Sequence, residues 1–293
     1  MDLIINFNKP RGITSFQCVS KVKRLLGAGK AGHTGTLDPM ATGVLLICLG
    51  EATKVSRFFL DMDKKYRARV KLGEKTDTCD AEGRVIEQRD ASSVTPERIE
   101  RALRMFKGEI VQTPPMYSAV KVQGTALYKL ARKGLEIDRP ERIVMIYHLK
   151  MILSELPYFD MEVSCSKGTY IRTLCDDIGN ALGTGAHLAA LERSAVGSFT
   201  IADSVGLDEL ATQDFRDKRK GFSSIDEALP ILREVVLVEE DYERAKNGVP
   251  IKSFTINNLP VGSFVRLKTP SRKMFGIGRV ESGCIRIERI LNL

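Results

Sequence analysis

The chain has 293 residues, 43% of them hydrophobic, which is about two domains' worth of length and enough to bury a substantial core, so a peptide or a disordered tail is excluded. Forty-five Lys and Arg against 37 Asp and Glu leave a net charge of +8, and that sign favours an anionic partner. Residues 1–75 carry 14 basic and 6 acidic side chains and residues 233–293 carry 11 and 7, whereas residues 156–232 carry 7 and 12; the positive charge sits at the two ends.

In chain order, Ile4-Ile5-Asn6-Phe7 reads as a short strand closed by Lys9-Pro10-Arg11-Gly12. Thr14 with Gln17 three residues on forms a capping box for a helix whose apolar stripe is Phe16, Val19, Val22, Leu25 and Leu26, ending at Gly27. A loop rich in Gly and Thr follows, then the apolar run 44–49, short enough for a buried strand. Tyr66, Ala68, Val70 and Leu72 alternate as in a half-buried strand ending at Gly73. Thr95-Pro96 opens a helix with Ile99, Ala102, Leu103 and Phe106 on one side, and 142–154 and 158–165 look like paired strands. From Tyr170 to Leu182, Ile171, Leu174, Ile178 and Leu182 fall at helical spacing before Gly183.

The texture changes near Val235. One short helix over 239–247 precedes strands at 264–267, 275–280 and 284–290, the last with Ile285 and Ile287 on one face and Arg286 and Glu288 on the other. Strands and helices mix without a regular β-α-β rhythm, which predicts an α+β fold with a small β-rich appendage.

Six cysteines without a C-x-x-C pair and three widely separated histidines suggest neither a zinc site nor a disulfide framework. The first residues lack a signal peptide's basic and apolar regions and no apolar run approaches a membrane span, so the cytosol is the expected compartment. Gly27-Ala28-Gly29-Lys30-Ala31-Gly32 matches G-x-G-x-x-G, with Glu51 near the place of a ribose-binding acid. Its context is wrong: a dinucleotide site needs a strand before the glycines and a helix after, and here a helix precedes and a loop follows. As a phosphate loop, the stretch ending in Gly29-Lys30 lacks the first glycine and the final Ser or Thr.

More informative is Gly32-His33-Thr34-Gly35-Thr36-Leu37-Asp38-Pro39-Met40-Ala41-Thr42-Gly43. Three glycines and a proline hold Asp38 on an irregular backbone, where it is either a turn-forming residue or a reactive carboxylate. In Ser166-Lys167-Gly168-Thr169-Tyr170-Ile171-Arg172, Arg172 falls in a first helical turn, unfavourable for the helix dipole unless an anion lies in reach or the side chain is simply solvated. Tyr66 is core, edge or a stacking platform.

Together, Lys9-Pro10-x-Gly12-x-Thr14-Ser15, the 32–43 loop, Lys65-Tyr66, Thr76-Asp77-Thr78-x-Asp80-x-x-Gly83, Pro114-Pro115-x-Tyr117-Ser118-Ala119 and Ser166–Arg172 resemble, in order and spacing, the TruB family of bacterial tRNA pseudouridine synthases over nearly the whole chain. One departure is Glu192, where the family usually carries Arg.

The resemblance implies a pseudouridine synthase fold, with a mixed and largely antiparallel sheet, over residues 1–232, and a PUA-like RNA-binding domain over 236–293. It implies isomerisation of uridine 55 in the T-loop of tRNA with base flipping, no metal or cofactor, and a cytoplasmic monomer. Asp38 is then the nucleophile, Arg172 its ion-pair partner, Tyr66 the residue stacking on uracil and removing the C5 proton, and Tyr170 a neighbouring support. His33 enters the RNA where the base left, or is an ordinary loop histidine. Lys9, Lys64 and Lys65 are candidate RNA contacts. So are Lys129, Arg132 and Lys133, in an insertion about 121–150 with 7 basic and 3 acidic residues, unless they only form a solvated helix face. In the appendage Arg266, Lys268, Arg272, Lys273, Arg279 and Arg286 offer phosphate contacts or a solvated surface.

Overall fold

A computed structural model describes residues 1–118, 120–122, 124–212, 220–252 and 259–293. Ala119, the last residue of the Pro114–Ala119 block, lies outside the described residues. The strands in chain order are β1 (Leu3–Lys9), β2 (Ala31–Thr34), β3 (Thr42–Leu49), β4 (Lys64–Leu72), β5 (Glu74–Thr76), β6 (Val85–Gln88), β7 (Gly108–Gln112), β8 (Lys121–Val122) and β9 (Thr125–Ala126). They continue with β10 (Arg142–Glu155), β11 (Tyr158–Cys165), β12 (Ala186–Val196), β13 (Phe199–Thr200), β14 (Phe222–Ser224), β15 (Arg233–Val236), β16 (Phe264–Lys268), β17 (Met274–Glu281) and β18 (Cys284–Ile290). The helices used below are α1 (Ser15–Leu25), α2 (Ser56–Leu60), α3 (Pro96–Met105), α4 (Leu127–Ala131) and α5 (Ile171–Leu182).

The main sheet runs β14-β1-β3-β12-β4-β11-β10-β7, with β2 on β3 and β13 on β12. Its described pairings are antiparallel except β12 with β3, so the layout is α+β, as the sequence pattern predicts, and largely antiparallel, as the resemblance implies. The strict alternation of β4 is realised: Tyr66, Ala68, Val70 and Leu72 are buried under α3 and α5, and Lys65, Arg67 and Arg69 point to the other face. Thr95 caps α3 with Pro96 at the first turn, and α5 runs from Ile171, with Tyr170 as its N-cap, to a left-handed Gly183.

The capping box of α1 forms as read, Gln17 N donating to Thr14 Oγ1 at 3.1 Å and Thr14 N to Gln17 Oε1 at 2.8 Å. Its expected stripe is corrected. Cys18, Val19 and Val22 are buried, whereas Phe16 is 73% exposed and Leu25 40% exposed. Ser15, buried, faces inward at the first turn, and the next residue is turned about 100° away from it.

The strand β12, central in the sheet, was not anticipated by periodicity. Bulges between Leu188 and Ala190 and between Arg193 and Ala195 break its alternation, and it buries His187 and Arg193. Where it meets β3, Gly43 has φ +103° and a Cβ there would lie 2.3 Å from the Arg193 carbonyl oxygen. Gly43→Ala should therefore lower unfolding free energy by roughly 3 kcal/mol or more, read as a fall in the urea midpoint at unchanged slope.

A second sheet, β15-β16-β17-β18, is the β-rich C-terminal part. Its Met274, Ile277 and Leu291 join a cluster with Ile4, Val44 and Phe59 of the main body, so a segment too short for a large core of its own is completed by its neighbour. The rings of Phe58 and Phe264 meet edge to face at 5.1 Å, and Arg57 lies against both, at 4.8 and 4.7 Å, and pairs with Glu288 at 3.0 Å across the same seam. Among the described residues no helix is long and apolar enough to cross a membrane.

Candidate active site

Residues 35–41, between β2 and β3, carry Asp38, and three buried polar side chains shape that loop. Lys9, fully buried, donates to the carbonyls of Pro10 (3.0 Å), Pro39 (3.3 Å) and Ala41 (2.7 Å). Ser15 Oγ donates to Leu37 O at 3.0 Å and accepts from Leu37 N at 2.9 Å. Arg193, 2% exposed, donates from Nε to Val44 O at 2.7 Å and from Nη2 to Gly35 O at 3.0 Å. These bonds satisfy interior carbonyls that would be costly to leave short of donors, so the loop is fixed before any ligand arrives.

Asp38 is clasped from the side by Arg172 in the first turn of α5: Nε to Oδ2 is 3.0 Å and Nη2 to Oδ1 is 3.5 Å. The rest of the guanidinium is spoken for, Nη1 by Asp80 Oδ2 at 3.2 Å and Nη2 by Tyr117 O at 2.8 Å. This is the anion that an arginine at a helix N-terminus calls for. Burial pushes the Asp38 carboxyl up from its ordinary value; Arg172 opposes the rise, Asp80 adds to it, and Lys9 and Arg193 oppose it. Its side chain stays 34% exposed, so one face remains open to a reactant.

The role of Asp80 is not legible from its Thr-Asp-Thr-x-Asp-x-x-Gly block alone, because its partner lies far along the chain. It is buried, accepts from Thr78 Oγ1 at 2.6 Å and Glu82 N at 3.1 Å, and its own carbonyl accepts from Thr76 Oγ1 at 2.7 Å. Gly83 is required by the same tight loop, since a Cβ would meet Thr78 Oγ1 at 2.2 Å. The Thr-Asp-Thr-x-Asp-x-x-Gly block is thus a holder for Arg172.

Tyr66 faces the same core as Leu37 and Met40 and stands opposite Arg193 in the β4–β12 register. Burial pushes its hydroxyl up, offset by the charge of Arg193 and a hydrogen bond from it, and Asp38 lies near enough to add to the rise. Tyr170 is held by its backbone, N donating to Gln112 Oε1 at 3.0 Å and O accepting from Gln112 Nε2 at 3.2 Å, with the Arg142 guanidinium 5.5 Å from its ring. His33, on β2, is half-buried with Nδ1 enclosed and unpartnered; burial first, then Arg193, lowers its pKa and favours the neutral ring.

Two expected RNA contacts, Lys9 and Lys64, are corrected, and a third, Lys65, lies on the far face of the sheet. Lys9 is interior and its ammonium is committed to the loop carbonyls. Lys64 is buried on the Leu60 and Met62 carbonyls, at 2.6 and 2.5 Å, and burial with the charge of Arg193 lowers it to about 8. Lys65 is exposed but points to the sheet face opposite Tyr66. Lys129, Arg132 and Lys133 are exposed on and just after α4, whose first turn is tied to the site through Tyr128 N donating to Ser118 O at 3.0 Å, next to Tyr117. Glu192 stands across from Arg67 on the face away from Tyr66, a cross-strand pair of opposite charge.

The acid limb of the site follows from these charges. If reaction needs the Asp38 carboxylate, kcat/KM falls as pH drops through its raised pKa, at higher pH than an ordinary aspartate would give. Asp80→Asn removes a nearby negative charge and frees Arg172 for Asp38, so the limb should move to lower pH; an upward or absent shift in a pH–rate profile would contradict the assignment.

A chain of a Cbf5-Nop10-Gar1 complex superposes with a TM-score of 0.76 at 25% identity, over 98% of this chain and 84% of that one. A chain of an H/ACA RNP bound to a substrate RNA containing 2'-deoxyuridine gives 0.75 at 23% identity, over 99% and 85%.

Residues 23–171 match the TruB family pseudouridylate synthase N-terminal domain and residues 172–240 the tRNA pseudouridylate synthase B C-terminal domain. The tRNA pseudouridine synthase B of Clostridium tetani is 42% identical over 99% of this chain and 100% of its own length, and that of Haemophilus influenzae strain 86-028NP is 41% identical over 99% and 95%. The chain belongs to the TruB family.

Proposed function

We infer that the protein converts uridine 55 in the T-loop of tRNA to pseudouridine. The observation that carries this reading is the Asp38–Arg172 pair on a pre-shaped, half-open loop, in a chain alike over its whole length to proteins named tRNA pseudouridine synthase B. Asp38 attacks covalently and leaves again, the glycosidic C–N bond breaks, the uracil turns, and C5 bonds to C1′. The C5 proton is lost and N1 gains one, so the reaction is a net isomerisation. Arg172 keeps the carboxylate ionised after water is excluded. Tyr66 stacks on the uracil beside Arg193 and relays the C5 proton, its oxygen taking that proton as its own O–H proton passes on toward N1 or solvent, and Tyr170 packs alongside. The base is flipped from a folded loop at a cost of about a few kcal/mol, with His33 filling its place.

In this reading residues 1–232 are the catalytic domain. The stretch about 121–150, with Lys129, Arg132 and Lys133, closes over the RNA, and 236–293 is a PUA-like unit that positions the RNA by phosphate contacts. The enzyme works as a cytoplasmic monomer without metal or cofactor. Tritium released from C5-labelled uridine in a T-loop stem-loop tests it. Release at position 55, confined to that uridine, is expected; no release from correctly folded RNA would overturn the assignment.

A further inference from the structure

Phe16 is left without a structural role. It lies in the first turn of α1, 73% exposed, while the helix buries Cys18, Val19 and Val22 instead. The preceding residue, Ser15, clamps both backbone groups of Leu37 in the Asp38 loop, and Phe16, one residue on and turned about 100° away, is exposed to solvent beside that clamp. Gly12 N donates to Pro39 O at 2.8 Å and brings the exposed Arg11 to the same loop.

The surroundings have one sign. Between Leu3 and Leu37 the chain has six basic residues, Lys9, Arg11, Lys21, Lys23, Arg24 and Lys30, and no acidic one. Lys9 is spent inside; the other five are exposed. Along α1, Phe16, Ser20 and Lys23 fall on one ridge, with Phe16 and Lys23 about 10 Å apart along the axis. A flat apolar ring followed by a hydroxyl and cations, beside a reactive carboxylate, complements a nucleotide whose base stacks while its phosphate meets the charge.

We propose that Phe16 is a stacking platform for an unpaired base of the RNA substrate, flanking the nucleotide that reacts at Asp38, with Arg11 and Lys23 as phosphate contacts. This rests on the RNA-modifying reading above. Phe16 touches no reacting atom, so the site holds RNA rather than performing chemistry.

The chain contains no tryptophan, so Phe16→Trp introduces a single reporter at the platform. Titration of that variant with the T-loop stem-loop should quench the indole, and its tritium release at saturating RNA should match the unaltered protein. Phe16→Ala should weaken RNA binding by roughly 5- to 100-fold with kcat and thermal midpoint unchanged. Lys23→Ala should weaken binding and flatten its salt dependence by about one counterion, which Phe16→Ala should not. If Phe16→Ala binds the stem-loop as tightly as the unaltered protein, or the indole is not quenched while RNA binds, the platform is refuted and the exposed ring serves some other contact. If the unaltered protein itself neither binds nor modifies the stem-loop, the RNA reading has failed and the platform falls with it.

Discussion

Asp38→Asn should abolish pseudouridine formation, lowering kcat by at least about 10⁴-fold, while the RNA dissociation constant stays within about threefold. The amide is isosteric but neutral and not nucleophilic, so shape survives and chemistry does not. The fold should survive too, because Arg172 keeps Asp80 and the Tyr117 carbonyl as partners. The loop is held from below by Lys9, Ser15 and Arg193, none of which contacts the Asp38 carboxylate through its loop-holding bonds. Residual activity from conversion of the amide back to acid should be small, since that route uses the backbone N–H of the next residue and Pro39 has none. Single-turnover tritium release and a binding titration on the same preparation separate the two effects. Turnover within tenfold of the unaltered protein would remove Asp38 as nucleophile.

What could be read from sequence was local. The Thr14–Gln17 box, the period-two run of β4 and the α5 stripe ending at Gly183 depend on neighbours a few residues away, and each forms as expected. The unread features depend on partners far along the chain. β12 hides because two bulges break its period and because a central strand carrying Arg193 does not look like one; its arginine is paid for by carbonyls at Gly35 and Val44, about 150 residues earlier. Lys9 and Lys64 show the same blindness with the opposite sign. A charge in a sequence reads as surface, and only the fold reveals the carbonyls gathered around it. Asp80 was visible as part of a block but not as a partner, since its target lies 92 residues on. Motif order therefore conveyed which residues matter, while long-range pairing decided what each one touches.

Arg172→Lys should be the most damaging conservative change, lowering kcat by about 10²- to 10³-fold with little effect on RNA affinity. The guanidinium serves Asp38 through Nε and Nη2, Asp80 through Nη1 and the Tyr117 carbonyl through Nη2. An ammonium is a point charge and cannot span all three in that geometry. If it stays with Asp80, which is buried, Asp38 loses its clasp; if it turns to Asp38, a buried carboxylate is left short of a donor. Stability should fall by about 1–3 kcal/mol in either case, and by about 3–5 kcal/mol in Arg172→Ala, which leaves both carboxylates without the cation. The pH profile distinguishes lost positioning from simple loosening of the fold. Arg172 holds the Asp38 carboxyl down against burial and Asp80, so a weaker partner lets its pKa rise further and the acid limb of kcat/KM should move to higher pH, opposite to the shift expected for Asp80→Asn. A lysine variant with lowered stability but an unmoved limb would mean that the arginine braces the loops without governing the charge of Asp38.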